Sequence, residues 1–257
     1  MNALSTIAAD PGPAGLFLDF DGTLAEIVPD PERAAPVEGT AEVLSALARR
    51  FAVVAVVSGR RAVGLAERLG RIPGVRFYGL YGREDLDGPV DPASRVALRS
   101  MRRLLPELER VAAAVPGAWV EPKGFHASIH YRAASDVEAA REAIVAGLGS
   151  VLDGTGMRAL EGKRVVEVAP EQGPSKGDVV RRVAGEERLR GILYAGDDLP
   201  DLEAFAAVDE LRRSGVVGIS IAVRSANAPA VVLEAADLVV DGPAELVELL
   251  RGLLRPG

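Results

Sequence analysis

Residues 16–27 read LFLDFDGTLAEI, and this stretch decides the fold. Its apolar beginning is typical of a buried strand, yet two aspartates, Asp19 and Asp21, interrupt and follow it. An uncompensated charge is costly to bury, so carboxylates at the end of such a strand require a partner. Gly22 comes next and permits a sharp turn out of the strand. The stretch therefore predicts a buried strand that delivers two carboxylates to a functional site.

Short apolar runs alternate with helical patterns on both sides of this stretch. Predicted strands lie within 16–20, 51–60, 75–80, 191–196, 215–223 and 236–240, and predicted helices within 37–50, 61–70, 175–185, 199–208 and 243–254. Strands that alternate with helices favour a parallel sheet covered on both faces. We therefore predict an α/β fold with a doubly wound, Rossmann-like parallel sheet.

The middle of the chain has a different pattern, which begins where glycine and prolines cluster near residue 90. A predicted helix at 93–114 precedes three strand-like segments, and a further helix separates the second segment from the third. The strands are expected at 118–123, 126–132 and 164–170, and the second helix at 135–148. This pattern predicts an α+β domain at 90–172, inserted into a core formed by 1–89 and 173–257.

Composition narrows the class of protein. The 257 residues carry a net charge of −7, which argues against binding to nucleic acid or to anionic membranes. Cysteine is absent, so disulfides, thiolate metal ligands and cysteine nucleophiles are excluded. We find neither a signal peptide nor an apolar run long enough to span a membrane, and we expect a cytoplasmic protein.

Polar residues recur where predicted parallel strands end, which is where ligands bind in open α/β sheets. Ser58 follows the second strand, Asp197 and Asp201 follow the strand at 191–196, and Lys176 begins a helix. Two unit charges about 4 Å apart repel by about 4 kcal/mol at an effective dielectric near 20. Carboxylates crowded at one edge therefore need a cation, and a set of oxygen ligands favours Mg²⁺. We predict Mg²⁺ and phosphoryl-transfer chemistry there.

Four short motifs resemble those of the haloacid dehalogenase-like (HAD) phosphatases, in the same order and at strand ends. They are DFDGT at 19–23, VVSGR at 56–60, PSKGD at 174–178 and AGDDLPD at 195–201. The resemblance implies that Asp19 is the nucleophile and forms an aspartyl-phosphate, and that Asp21 is the acid and base, oriented by Thr23. It also assigns the phosphate-binding and metal-binding positions. Phosphate binding is assigned to Ser58, Gly59 and Lys176, and Mg²⁺ binding to Asp19, Asp21, Asp197 and Asp201, the last either behind the direct ligands or through water.

The inserted domain resembles the cap of trehalose-6-phosphate phosphatases at VEPKGFHASIHYR (120–132) and GKRVVEVAP (162–170). That family implies a phosphoric monoester hydrolase that acts on trehalose 6-phosphate, whose sugar hydroxyls contact Glu121, Lys123 and Glu167. Strand alternation places His130 and Arg132 on the same face as one another, where they are further candidates for substrate contact. We expect a monomer whose partner is the small sugar phosphate, with no binding to nucleic acid or membranes.

Several positions depart from the family pattern. Pro200 and Leu202 replace the usual threonine and glutamate of the fourth motif, Tyr81 replaces a histidine, and Ala169 replaces an arginine. Asp198 remains open between a metal contact and a helix cap. The carboxylates of the fourth motif are retained, so the resemblance still implies catalysis, and more than one sugar phosphate stays open as the substrate.

Three interpretations therefore remain. The first is hydrolysis of trehalose 6-phosphate, and the second is a HAD phosphatase for glucosyl- or mannosyl-3-phosphoglycerate. The third is a non-catalytic protein of the same fold that binds sugar phosphates. The lone tryptophan, Trp119, is interpreted as a core or sheet residue of the insert, with stacking on a sugar as the alternative.

Overall fold

The structure is a computed structural model that describes residues 3–28, 30–162, 164–225 and 228–255. The chain divides into two compact units. The core unit comprises Met1–Gly88 and Pro174–Gly257, and the inserted unit comprises Pro89–Gly173. Across the described ranges, no helix is both long and apolar enough to cross a membrane.

The described segments contain strands and helices that we number in chain order. The strands are β1 (Ala14–Leu18), β2 (Val53–Val57), β3 (Val75–Tyr78), β4 (Glu84–Asp85), β5 (Gly88–Pro89), β6 (Trp119–Pro122), β7 (Ala127–His130), β8 (Met157–Gly162), β9 (Val165–Pro170), β10 (Gly191–Gly196), β11 (Val217–Val223) and β12 (Leu238–Val240). The helices are α1 (Ala3–Ala9), α2 (Thr40–Ala48), α3 (Ala62–Leu69), α4 (Pro92–Ala113), α5 (Val137–Leu152), α6 (Lys176–Glu186), α7 (Leu202–Arg213), α8 (Ala230–Ala235) and α9 (Pro243–Gly252).

The core unit contains a six-stranded parallel sheet in the order β12-β11-β10-β1-β2-β3. Every residue of β1, β2 and β10 is buried, as expected for central strands covered on both faces. β1 ends at Leu18, two residues before the end of the predicted strand, so Asp19 lies just beyond the sheet. The predicted doubly wound sheet is confirmed.

The core beside this sheet explains why its strands stay in place. Leu16 and Val54 belong to one buried apolar cluster with Leu44 of α2 and Leu250 of α9. Burying a side chain of this size contributes about 1.5–3 kcal/mol. The buried polar groups at the strand ends contribute no such stabilisation. The apolar layer therefore provides the stability that holds these strand ends in place.

The inserted unit contains an antiparallel sheet in the order β6-β7-β9-β8, with α4 and α5 on one face. Val120, Ile129 and Val166 are direct cross-strand partners, and they pack on the helices. Glu121 and its partners along the next row of the ladder project from the opposite face, because side chains alternate along a strand. The predicted α+β insert is confirmed as a fold.

Among the described residues, five elements were absent from the sequence prediction: the helices α1 and α8 and the strands β4, β5 and β8. β8 is an edge strand in which only Met157 is buried, and most of its other residues are exposed. Its alternation of apolar and polar residues is therefore weak, and the cross-strand partners in β9 define it instead.

Candidate active site

The candidate active site lies at the carboxyl end of the parallel sheet, where the strand order reverses. β1 pairs with β10 on one side and with β2 on the other. Asp19 follows β1, Ser58 follows β2 and Asp197 follows β10, so these three residues come to one edge. Open parallel sheets bind their ligands at such a reversal.

A buried ammonium lies among the carboxylates. Lys176 Nζ is 2.8 Å from Asp19 Oδ1 and 2.7 Å from Asp201 Oδ1. Lys176 begins α6, where Ser175 and Asp178 form a capping box by exchanging hydrogen bonds. This reciprocal cap satisfies backbone donors at the start of the helix and defines where it begins. The cap thus sets the position of the ammonium.

Asp201 is fully buried and organises the loop after β10. Its Oδ1 accepts hydrogen bonds from Lys176 Nζ at 2.7 Å and from the Tyr194 hydroxyl at 2.6 Å. Its Oδ2 accepts from the backbone N–H groups of Asp197 and Asp198, each at 3.0 Å. Both carboxylate oxygens of Asp201 are occupied by these hydrogen bonds. Asp201 is therefore better suited to holding the residues around a metal ion than to binding the ion directly.

Asp198 caps the short 3₁₀ turn Leu199–Asp201. Its side chain accepts a hydrogen bond from the Leu199 N–H at 2.7 Å. Pro200 lies in the first turn of this element, where proline sacrifices no helical hydrogen bond. The structure therefore agrees with the capping interpretation of Asp198 and accommodates the proline that departs from the family pattern.

The turn after β1 brings the backbone against Asp197. Gly22 has a φ of 75°, and a Cβ at this position would lie 1.9 Å from Asp197 Oδ2. Thr23 Oγ1 donates a hydrogen bond to Asp197 Oδ1 at 3.3 Å. The expectation that Thr23 orients Asp21 is therefore wrong, because its hydroxyl binds the carboxylate that follows β10.

Burial and like charge alter the titration of these groups. Burial, with repulsion from Asp201 and Asp197, raises the pKa of Asp19 to about 8 despite the attraction of Lys176. Burial and repulsion from Asp201 raise the pKa of Asp197 to about 7. Burial alone would lower the pKa of Lys176, but Asp19 and Asp201 raise it above its ordinary value. One ammonium does not neutralise three buried carboxylates.

This donor set fits a hard divalent cation. Asp19, Asp197 and Asp201 each offer a carboxylate oxygen, and these oxygens lie within 4.8 Å of one another. Carboxylate oxygens are the ligands that Mg²⁺ prefers, and a cation would relieve the repulsion described above. Since the Asp201 oxygens already accept hydrogen bonds, Asp19 and Asp197 are the residues suited to direct ligation.

Asp21 does not belong to this group of carboxylates, in contrast to the predicted set of four metal ligands. Its Oδ2 accepts from Arg60 Nε at 2.6 Å and its Oδ1 from an Arg60 terminal N–H at 2.7 Å. Arg60 also donates to the Pro31 carbonyl at 2.7 Å, and it lies 5.6 Å from the centre of the Phe20 ring. This bidentate pair joins the segment after β1 to the segment after β2.

Ser58 and Gly59 form the turn after β2, beside Tyr81. The Ser58 N–H donates to the Tyr78 carbonyl at 3.0 Å, and Ser58 Oγ accepts from the Arg60 N–H at 3.2 Å. A Cβ on Gly59 would lie 2.8 Å from the Tyr81 ring, so glycine leaves room for this tyrosine. An open cavity of about 490 Å³ borders this turn; its lining includes Asp19, Asp21, Ser58, Lys176 and Asp197.

The inserted unit carries a separate set of polar side chains, on the sheet face opposite its helices. Glu121 Oε2 lies 2.8 Å from His130 Nε2 and 3.3 Å from Lys123 Nζ. Glu167 Oε1 lies 3.9 Å from Lys123 Nζ and accepts from Ser128 Oγ at 3.3 Å. Hydrogen bonds from His130 and Lys123 lower the pKa of Glu121. These five residues are called the polar cluster below.

Arg132 and Trp119 flank the polar cluster at His130. Arg132 is exposed, and one of its terminal nitrogens lies 3.5 Å from His130 Nδ1. The Trp119 ring stacks on the imidazole with ring centres 4.3 Å apart, and half of the residue is exposed. Trp119 is therefore a sheet residue on an open face and not a core residue.

Three residues of the candidate active site and the polar cluster were not predicted from the sequence to have these contacts. Arg60 lies within the VVSGR motif, but nothing in the motif indicates that it binds Asp21. Tyr194 interrupts an apolar strand, and a buried hydroxyl requires a partner, so it was detectable as a polar contact. Ser128 shares its strand face with His130, and the alternation that pointed to His130 also indicates Ser128.

The trehalose-phosphatase family matches this chain over residues 17–234. The trehalose-phosphate phosphatases of Mycobacterium ulcerans and Mycobacterium marinum are 33% and 34% identical to it over 248 residues. These matches cover 93% of this chain and 60% of each relative, so the chain spans about 60% of their length.

Solved structures share the fold at lower identity. Trehalose-6-phosphate phosphatase of Aspergillus fumigatus has a TM-score of 0.68 and 23% identity, covering 98% of this chain and 96% of that chain. A haloacid dehalogenase-like hydrolase from Bacteroides thetaiotaomicron has a TM-score of 0.63 and 16% identity, covering 93% and 99% respectively. The predicted HAD fold is confirmed. Because the family match extends over most of the chain, this protein belongs to the trehalose-phosphatase family.

Proposed function

We propose that this protein is a Mg²⁺-dependent phosphatase that hydrolyses trehalose 6-phosphate to trehalose and phosphate. The observation that carries the proposal is the buried Asp19–Lys176 pair at the end of β1, in a chain of this family. A carboxylate held against an ammonium beside an open cavity suits nucleophilic attack on phosphorus. The assignment of trehalose 6-phosphate as the substrate rests on the names of the relatives.

In the first step, an Asp19 oxygen attacks phosphorus and the bond from phosphorus to the sugar oxygen breaks. Asp21, after one of its carboxyl oxygens leaves Arg60, donates a proton to the leaving oxygen, which departs as a hydroxyl of trehalose. The product on the enzyme is an aspartyl-phosphate at Asp19. Lys176, Ser58 and the backbone N–H of Gly59 supply positive charge and hydrogen bonds to the phosphoryl oxygens.

In the second step, Asp21 accepts a proton from a water molecule whose oxygen attacks phosphorus. The bond from phosphorus to the Asp19 oxygen breaks, which releases phosphate and regenerates the carboxylate. Mg²⁺, held by Asp19 and Asp197 with Asp201 in support, would supply positive charge that offsets the charge of the phosphoryl group. Uncatalysed hydrolysis of phosphate monoesters is extremely slow, so covalent, acid–base and electrostatic contributions are all required.

The inserted unit is proposed as the cap that recognises the sugar. Glu121, Lys123 and Glu167 would bind hydroxyl groups, because a carboxylate accepts and an ammonium donates hydrogen bonds. His130 and Arg132 are proposed as further contacts. The polar cluster supports this assignment, since it gathers both donors and acceptors on one open sheet face.

The test is phosphate release from a panel of substrates, measured with Mg²⁺ and with EDTA. We expect the highest kcat/KM with trehalose 6-phosphate and loss of activity in EDTA. A higher value with glucosyl- or mannosyl-3-phosphoglycerate would reassign the substrate. Binding of trehalose 6-phosphate in calorimetry without phosphate release would favour the non-catalytic alternative.

The role of Asp19 is tested by the variant Asp19→Asn. An amide is a poor nucleophile, so we expect kcat to fall by about 10³-fold or more while the protein stays folded. Circular dichroism checks the fold, and Asp209→Asn, at a partly exposed carboxylate that pairs with Arg212 on α7, is the matched control. Retained turnover in purified Asp19→Asn would remove this residue from the nucleophile position.

A further inference from the structure

The open sheet face of the inserted unit is divided into two rows of cross-strand partners. One row contains Trp119, His130 and Val165, and the next contains Glu121, Ser128 and Glu167. Aromatic and imidazole rings therefore lie directly beside carboxylate, hydroxyl and ammonium groups. Aromatic side chains next to a few hydrogen-bonding groups are typical of the residues that line small-molecule binding sites.

Trp119 is held in position within this face. Its ring stacks on that of His130 with an angle of 23° between the planes, and the two residues are direct cross-strand partners. One ring face is therefore covered by the imidazole, while half of the residue remains exposed at the edge strand β6. A tryptophan has only two side-chain torsions, so its surface is presented at low entropic cost.

The neighbouring carboxylates retain hydrogen-bonding capacity. Glu121 uses Oε2 for its contacts with His130 and Lys123, and Glu167 uses Oε1 for its contacts with Ser128 and Lys123. Within the described residues, these contacts leave the second oxygen of each carboxylate able to accept from a ligand. About two-fifths of each of these side chains is exposed, at 41% and 42%.

We propose that Trp119 is the stacking platform for a pyranose ring of the substrate, with the polar cluster binding hydroxyl groups at the rim of the same ring. A pyranose presents C–H groups on its face and hydroxyls around its edge, which matches an indole beside carboxylates. The inference rests on the proposed function for the identity of the sugar. It adds a specificity-determining residue that acts on the sugar and not on phosphorus.

The chain contains one tryptophan, so its tryptophan fluorescence, excited selectively over that of the tyrosines, reports on Trp119 alone. We expect titration of the wild type with trehalose to change the emission in a saturable way. Asp19→Asn, in which turnover is suppressed, should give the same change with trehalose 6-phosphate and at lower concentration. Inorganic phosphate should leave the emission unchanged, because it lacks a ring to stack.

Kinetics provide the second measurement. Trp119→Ala should raise KM for trehalose 6-phosphate about tenfold and change kcat much less, because the contact is made before and during reaction. Trp119→Phe should recover most of the loss, which a purely structural position would not require. Val96→Ala, a similarly exposed apolar residue on α4 of the same unit, is the control and should leave KM unchanged.

The outcomes separate this inference from the proposed function. If the wild type releases phosphate from trehalose 6-phosphate but Trp119→Ala keeps its KM, the stacking platform is wrong and the proposed function stands. If the wild type releases no phosphate, the proposed function fails, and the trehalose titration then decides the inference by itself. An emission unaffected by both sugars overturns it.

Discussion

At the scale of single residues, the site depends on backbone freedom at Gly22. This residue combines a positive φ with a close approach to Asp197, so both its conformation and its lack of a side chain are used. Gly154 also has a positive φ, of 66°, but a Cβ there would meet nothing within 4 Å. A substitution at Gly154 therefore tests the backbone conformation alone, whereas the same substitution at Gly22 tests the conformation together with crowding of Asp197.

We expect Gly22→Ala to lower kcat by about 10²-fold, because the added methyl group displaces the Asp197 carboxylate. Gly154→Ala should lose about 1–2 kcal/mol of stability through its left-handed backbone and keep its kcat. Steady-state phosphate release and urea unfolding measure both quantities. Equal kcat values for the two variants would contradict the importance of the approach to Asp197.

At the scale of secondary-structure elements, the ends of β1 and β2 are joined by one bidentate ion pair. Arg60 binds both oxygens of Asp21, and its side chain is only 14% exposed. A guanidinium fork of this kind fixes the orientation of a carboxylate, which a lysine at the same position cannot do. Arg60 is therefore a positioning residue for the proposed acid and base.

We expect Arg60→Ala to lower kcat by about tenfold or more, since an acid–base group that is free to rotate loses part of its effect. The measurement is a cycle with Asp21→Asn and the double variant. If Arg60 acts through Asp21, the double variant loses little more activity than Asp21→Asn alone. Losses that multiply would show that the two side chains act independently.

At the scale of the whole molecule, the site unites segments that lie far apart in the chain. Asp19 follows β1, whereas Asp197 and Asp201 follow β10, and Lys176 begins α6. The carboxylates share one buried ammonium, so their repulsion opposes the folded state. Binding of a cation at this cluster should therefore be visible in global stability.

The pH dependence has a defined sign. The pKa of Asp19 is raised from 3.8 to about 8 and that of Asp197 from 3.8 to about 7, so the folded state retains protons that the unfolded chain has lost. This contribution to stability is fully present below about pH 4 and is lost as pH rises through 7 to 8. The metal-free protein is thus expected to lose stability between pH 5 and pH 8.

We expect Mg²⁺ at about 100 times its Kd to stabilise the folded state by about 2.7 kcal/mol relative to EDTA. At a fixed Mg²⁺ concentration the gain should be larger at pH 8 than at pH 5, because protons compete with the metal for the carboxylates and weaken its binding at the lower pH. Thermal unfolding measures the shift, which Asp197→Asn should abolish and Asp209→Asn should keep. Identical Tm values in Mg²⁺ and EDTA at pH 8 would contradict a metal at this cluster.

The amino-acid sequence by itself determined the alternation of elements, the doubly wound sheet and the family. These follow from local patterns, because apolar runs and turn residues act over a few positions. It also identified Asp19, Ser58, Lys176 and Asp197 as residues at strand and helix ends, which the sheet then brings to one edge.

Only the tertiary structure decided which groups these side chains meet. Arg60 binds Asp21, Thr23 binds Asp197, and Trp119 stacks on His130 at an open face. β8 likewise exists because β9 pairs with it, and not because its own pattern is strong. A polar or aromatic side chain takes its partner from segments that are remote in the chain, and their distances depend on how the whole chain packs.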